Sequence, residues 1–443
     1  MKIFLFSVLI TFMAAQTLFS QTTGEFKPEY KISGTIFTGW EFNSGNDNFI
    51  SKLDSSAQNS FLPFGYAPVR NQFETGQNSF FLERSFLTVL ASLAPTVKGR
   101  ITSDVYSLTD GSGKTQYQLG IKYAWVGWTP VKNDNGFKMD LIAGVIPNQW
   151  IIENEKYYGY RGFAKTISDF SWTTSAVKSN ASSNGVYNVN RSTGSYFTSS
   201  DLGANISLTA PKGFGELYLN VFNGNGFRNL GFDNRFKDIE AVGFIHPFAS
   251  QINKKTIPGK RISGTTDVTI GGYAYIGKLG LGENYTNGGV QYVRNRAGGM
   301  FNIKYNFNNF GFVKFGTEYS LQFNQDPSAI RSDSLVKTNS TGLSTYLEFN
   351  PPIEALSDKI MLVARYDIFD PDNSNTSTDI TSFNNNTDKQ TLLMLGIAYK
   401  TSKIFTLGIT YQQLGYQLPF VVNYDNVTSD KDSKLIIHAI LEF

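Results

Sequence analysis

Polar and apolar residues alternate along much of this chain in segments of roughly ten residues. Phe301, Ile303, Tyr305 and Phe307 are apolar, and Asn302, Lys304 and Asn306 between them are polar. Val313, Phe315, Thr317, Tyr319, Leu321 and Phe323 oppose Lys314, Glu318 and Gln322, and Ile360, Leu362, Ala364, Tyr366 and Ile368 oppose Arg365 and Asp367. Tyr117, Leu119, Ile121, Tyr123 and Trp125 oppose Gln118, Gly120 and Lys122. A period of two belongs to a β-strand with different media on its two faces, and helical spacing fits none of these stretches. The pattern predicts about sixteen strands. They fall near 29–42, 79–93, 97–107, 116–128, 138–146, 196–208, 214–224 and 236–246 in the first half. The second half holds 266–276, 297–307, 310–323, 341–349, 359–369, 389–400, 404–414 and 433–443. The stretches 79–93 and 266–276 alternate poorly; a strict period places Glu83 and Arg84 on opposite faces.

The last segment sets Leu435, Ile437, Ala439, Leu441 and Phe443 on one face, with Lys434, His438 and Glu442 beside Ile436 and Ile440 on the other. Chain ends of soluble domains commonly fray into water. A greasy face that persists to a final aromatic residue is expected to touch lipid instead. The connections support this. "APT" (94–96), "APKG" (210–213), "NN" (308–309) and "TSK" (401–403) are tight, and "TPVKNDNGF" (129–137) and "NPPIEALSD" (350–358) are a little longer. Long Asn/Ser/Asp/Gly-rich stretches lie between them, at 43–78, 147–195, 277–296, 324–340, 370–388 and 415–432. The joins 108–115 and 247–265 break the rhythm, one short and one long. Short turns at one end and long loops at the other are the pattern of an all-β transmembrane antiparallel barrel. Closing it by pairing the last strand with the first leaves no backbone edge in hydrocarbon. A soluble β-sandwich would alternate too, but its loops need not sort by length.

Composition agrees. The 37 Phe and 23 Tyr together outnumber the 36 Asp and Glu, as an outward aromatic surface requires. Residues 1–20 carry one Lys, an apolar run from Ile3 to Ala15 and then small and polar residues, which is the pattern of a secretory signal peptide. With no Cys there is neither a disulfide nor a lipid-anchored thiol. The expected division is therefore a signal peptide at 1–20 and one barrel over 21–443. A net charge of +3 with scattered basic residues argues against a nucleic-acid partner.

Several stretches taken together resemble the phosphate-selective porin family in its Bacteroidetes-type form. They are 79–105 ("SFFLERSFLTVLASLAPTVKGRITSDV"), 117–128, 144–170 ("GVIPNQWIIENEKYYGYRGFAKTISDF"), 199–208, 213–229 and 364–373. The resemblance implies a sixteen-stranded outer-membrane porin, often trimeric, for passive diffusion of small hydrophilic solutes. In that family the loop after the fifth strand folds inward to narrow the pore. Counting strands makes 147–195 the longest connection here, and it follows the fifth segment. Its start, "WIIENEKYYGYRGFAK", is expected to form a short helix or an irregular turn inside the barrel. The candidate constriction groups are Glu153, Glu155, Lys156, Arg161, Lys165 and Asp169. For Arg161 and Lys165 a salt-bridged loop anchor competes with a solute-contacting role. The terminal Phe443, with Leu435, Ile437, Ala439 and Leu441 before it, resembles the sorting signal read by the barrel assembly machinery, although the Gly often found there is absent.

The predicted inner face carries Arg100, Lys122, Lys304, Lys314 and Arg365 against Asp104, Glu216, Asp238, Glu240, Glu318 and Asp367. Neither sign dominates, so weak charge selectivity is expected, with a substrate-specific anion or phosphate channel as the alternative. No catalytic residues are assigned and no cofactor is expected. A lipase-type barrel enzyme would need Ser and His facing lipid on neighbouring strands. Here His438 is predicted to face the lumen, and His246 ends the eighth segment. "DPDNSNTSTD" (370–379) is rich in oxygen ligands but lacks the Gly and terminal Glu of the EF-hand spacing, so a hydrated loop is expected over a Ca²⁺ site. "GNGFRN" (224–229) suggests a phosphate-binding loop, but no helix follows, and a strand-end turn is expected. An energised receptor would need a plug before the barrel, for which residues 21–28 are too few.

Overall fold

The computed structural model describes residues 26–43, 78–109, 115–170, 172–181, 187–194, 197–224, 226–227, 237–249, 266–280, 291–307, 310–327, 335–357, 359–370, 389–416 and 431–443. The predicted signal peptide and residues 371–379 of the oxygen-rich loop lie outside them. In chain order the strands begin with β1 (Glu29–Asn43), β2 (Asn78–Ala94), β3 (Val97–Thr109), β4 (Thr115–Lys132) and β5 (Lys138–Pro147). Helix α1 (Gln149–Tyr157) and the strands β6 (Trp172–Ala181) and β7 (Tyr187–Gly194) follow. Next come β8 (Ser200–Thr209), β9 (Gly215–Phe222), β10 (Asp238–Ile245), β11 (Thr266–Ile276), β12 (Lys278–Gly280) and β13 (Gln291–Asn306). The chain ends through β14 (Phe312–Pro327), β15 (Leu335–Asn350), β16 (Ile360–Asp370), β17 (Gln390–Lys400), β18 (Phe405–Tyr416) and β19 (Lys431–Glu442).

All of these strands except the separate β6–β7 hairpin lie in one antiparallel sheet, which β1 closes by pairing with both β2 and β19. Strands β11 and β12 both pair with β13 and occupy one position, so the result is a closed sixteen-strand barrel. Closure runs to the last residue. Gly34 N–H donates to the Phe443 carbonyl at 2.8 Å, and Phe443 N–H donates to the Gly34 carbonyl at 3.0 Å. The terminal ring lies over Gly34, where an added Cβ would stand 2.4 Å from it.

The predicted tight joins 94–96, 210–213 and 401–403 fall in turns or bends, and 308–309 lies outside the described residues. Pro211–Gly213 form a single 3₁₀ turn with Lys212 and Gly213 in the left-handed region, closed by Ala210 N–H to the Gly215 carbonyl at 2.8 Å. Gly311, at φ 77°, is obligatory in the next turn but one, because a Cβ there would meet the Asn350 carbonyl oxygen at 2.5 Å.

Two departures from strict alternation are β-bulges. Against β3, Thr102 pairs with Tyr123 and Ser103 with Ile121, leaving Lys122 as the extra residue. The phase flips there. Tyr123 and Trp125, expected on the outer face, turn inward, and Ala124, Val126 and Trp128 take the outward positions. In β2, Arg84 pairs with Phe37 and Leu82 with Thr38, so Glu83 is the extra residue. Arg84 is buried against Asp104 on the inner side, and the extra residue breaks the strict period that the sequence implies for this pair. Strands β13, β14 and β15 also run longer than expected. Their extensions stay paired, Asn324 with Thr338 and Asp326 with Val336.

Candidate functional site

The barrel is inside out relative to a soluble protein. Outward positions expose apolar side chains, with Leu395 48% accessible, Tyr366 47% and Ile437 42%. Inward, Asp104, Glu240 and Asp367 are fully buried and Lys122 is 2% accessible. Leu435, Ile437, Ala439, Leu441 and Phe443, the candidate assembly signal, lie on the outward face, and the inward Ile436 and Ile440 are covered. Much of what covers the inner wall is the connection after β5.

Asn148 starts that connection. Its side-chain oxygen caps α1 by accepting from Ile151 N–H at 3.1 Å, while its amide donates to Glu240 at 3.0 Å. Trp150 lies 4.5 Å from the Tyr273 ring and 6.0 Å from Phe244, and its indole N–H donates to Glu318 at 2.6 Å. Ser168 donates to the same carboxylate. Lys314 donates to the Tyr157 carbonyl at 2.7 Å and pairs with Glu348 at 2.8 Å, and Gly159 N–H donates to Glu348 at 3.0 Å. Phe163 sits against Gly408 and 4.7 Å from the His438 ring, while its carbonyl accepts from Gln412 at 2.7 Å. Arg365 donates to the Lys165 carbonyl. The loop is thus bound by side chains of β10, β14, β15, β16 and β18. This explains why β11 alternates poorly: Tyr273 and Tyr275 face inward because the loop, not water, is their neighbour.

Of the six constriction candidates, Arg161 pairs with Glu155 and with Asp169 (2.8 Å), and Glu153 pairs with Lys156 at 3.1 Å. The Lys156 side chain is exposed. Lys165 is partly buried. Burial pushes the Glu155 carboxyl above its usual range against the pull of Arg161 and Lys122. For Asp169 burial acts in the same upward sense, but Lys165 and Arg161 outweigh it and hold the carboxyl low. Arg161 ties two ends of the loop together, as an anchor would.

The eleven predicted wall residues also face inward. Asp104 pairs with Arg84, Arg365 with Asp367, and Lys314 with Glu348. Lys122 and Lys304 place their amines over the rings of Phe86 and Phe312 at 4.4 Å and 4.5 Å, and the Arg100 guanidinium lies 4.5 Å from Tyr123. Glu240 accepts from Asn220 at 2.7 Å, Asp238 accepts from Tyr275, and Glu318 serves the loop. Glu348, Asp267, Arg296 and Asp201 join them without having been expected. For Glu348, two-residue spacing back from Asn350 was a usable signal. Arg84, Tyr123 and Trp125 had none, because a bulge is defined by the partner strand.

Gly224 and Gly226, at φ 83° and 72°, donate their N–H groups to the Asp201 carboxylate at 2.9 and 3.1 Å, so this anion cradle is filled by the chain itself. Glu216, His246 and Thr269 have the connectivity of an acyl-transfer triad, with His246 Nε2 2.6 Å from Glu216 and Nδ1 2.8 Å from the Thr269 hydroxyl. Thr269 is fully buried, however, and donates to the Tyr157 hydroxyl of the loop helix. The group is a loop anchor with no access for a substrate. His438 faces the lumen and meets Thr410 at 2.7 Å. Among the described residues no cluster of three metal-binding side chains occurs.

No family model matches this chain, and no curated protein matches it. Among solved structures it is similar to an anion-selective porin from Comamonas acidovorans, at 11% identity and TM-score 0.49, covering 94% of this chain and 100% of that one. It is similar to OmpT, an outer membrane protein of Vibrio cholerae, at 11% identity and TM-score 0.48, covering 96% and 100%. It is also similar to the outer membrane channel DcaP of Acinetobacter baumannii, at 10% identity and TM-score 0.47, covering 95% and 99%.

Proposed function

We propose that this chain is an outer-membrane porin giving small hydrophilic solutes a passive path with weak charge preference. The observation that carries the reading is the inversion of faces: a closed barrel with an apolar exterior, a charged interior and a loop bound across that interior. Exposed apolar surface on this scale has no place in water, and a closed barrel is one of the two forms that satisfy every backbone group in lipid. Cations and carboxylates are interspersed along the wall, and some of them pair directly, so their fields oppose each other at a distance.

Export by residues 1–20, insertion by the assembly machinery through the end at Phe443, and a homotrimeric state belong to the same proposal. So does membership of the phosphate-selective porin family, on the stretches that resemble it. Its cargo is not carried over, because a phosphate pore needs a run of unpaired Arg and Lys to replace the anion's hydration shell, and Arg84, Arg161, Lys314 and Arg365 here each hold a carboxylate. The test is reconstitution of the folded protein in planar bilayers. Ohmic conductance steps are expected, with a reversal potential near zero in a salt gradient. A folded barrel without conductance refutes the porin, and strong phosphate block of chloride current refutes the weak selectivity.

A further inference from the structure

Arg100 differs from the other arginines paired along this wall. Arg84, Arg161 and Arg365 each hold a carboxylate. Arg100 donates through Nε to the Thr102 hydroxyl at 3.0 Å and stacks on Tyr123, and among the described residues neither terminal nitrogen has an acceptor. The bulge at Lys122 makes this arrangement, because it brings Tyr123 under the guanidinium and turns Trp125 inward. Leu90 of β2 and Trp125 of β4 are the direct cross-strand partners of Arg100. All three side chains face the lumen and remain partly accessible. Direct cross-strand partners have Cβ atoms about 4.5–5.5 Å apart, so one small solute can touch all three.

This is a fork of donors between two apolar surfaces. A guanidinium fork matches the two oxygens of a carboxylate, and stacking on Tyr123 holds the fork in one orientation. Leu90 and Trp125 add attraction only for a solute with an apolar body. We infer that Arg100, Leu90 and Trp125 form a lumenal subsite for organic carboxylates that carry a ring. Inorganic phosphate presents no apolar surface and gains nothing from the flanks. The inference deepens the porin reading and rests on it.

The test measures block of chloride current through the folded full chain by benzoate, acetate and phosphate. Half-block by benzoate is expected at a concentration about tenfold below that of acetate, the effect of burying roughly 60 Å² of ring at about 25 cal/mol per Å². Arg100→Gln should abolish benzoate block. Trp125→Ala should bring benzoate to the level of acetate while leaving acetate unchanged, and Leu90→Ala should do the same in part if Trp125→Ala fails to fold. Equal block by benzoate and acetate, phosphate blocking as well as benzoate, or an unchanged Arg100→Gln channel overturns the subsite alone. A folded, non-conducting barrel overturns the porin reading first.

Discussion

Gly408 offers a direct way to loosen the inward loop without touching the barrel. A Cβ there would lie 2.3 Å from Cε1 and Cζ of Phe163. Non-bonded carbons rest at about 3.5–4.0 Å, so Gly408→Ala requires the ring to retreat by roughly 1.2–1.7 Å. The wall has little room to give, because Gly408 is held in register with Ala398 and His438 on both sides. Displacement therefore falls on Phe163, a buried residue whose carbonyl also takes the Gln412 amide at 2.7 Å. Overpacking of this kind costs about 1–3 kcal/mol. Folded-barrel yield, read by heat-modifiable migration, should be unchanged. Single-channel recordings should show larger open-state noise and a higher mean conductance, because the inward loop leaves the wall more often. Phe163→Ala removes the clashing ring, so adding Gly408→Ala to it should do nothing further. That is a coupling of at least about 1 kcal/mol between the two sites. Unchanged noise and conductance in Gly408→Ala, or additive effects in the double variant, would refute the docking of Phe163 against this wall.

Leu395 lies halfway along β17 on the outward face, so Leu395→Arg should cost about 2–4 kcal/mol of insertion free energy, measured by equilibrium folding into vesicles. Leu362, nearer the short turns, should cost less when changed to Arg, and the reverse order would misplace the bilayer. Deleting Phe443, or filling the space beneath its ring with Gly34→Val, should lower outer-membrane levels in pulse labelling, and normal yield of both variants would leave the terminal pair without an assembly role. Because Asp169 is held below its ordinary value of 3.8, its pairing stabilises the loop above that pH and is lost as pH falls below it, whereas the raised Glu155 protonates earlier, which relieves its burial penalty. Channel noise should therefore stay low on acidification until the ordinary Asp range is crossed, and Asp169→Asn should be noisy already at neutral pH; a quiet Asp169→Asn channel would contradict the anchor.

The wall of this barrel was legible in the sequence because each of its residues answers to a medium, lipid outside and water or polar groups inside. That requirement repeats with the two-residue period of a strand, so Ile303 and Lys304, or Leu362 and Arg365, could be sorted without knowing their neighbours. The alternation of short and long connections was legible too, since most neighbouring strands return directly at one end, with 247–265 the exception. What only the tertiary structure decided depends on pairs of residues far apart in the chain. A bulge exists only relative to a partner strand, so Lys122 reversed the faces of Tyr123 and Trp125 with no mark in the local sequence. The inward loop is held by Trp150 on Glu318, Gly159 on Glu348 and Phe163 against Gly408, contacts made across the lumen. Its residues seek neither lipid nor open water, but a surface that exists only after the barrel has closed around them. That is why the charged groups of the loop could be named from the sequence while their partners could not.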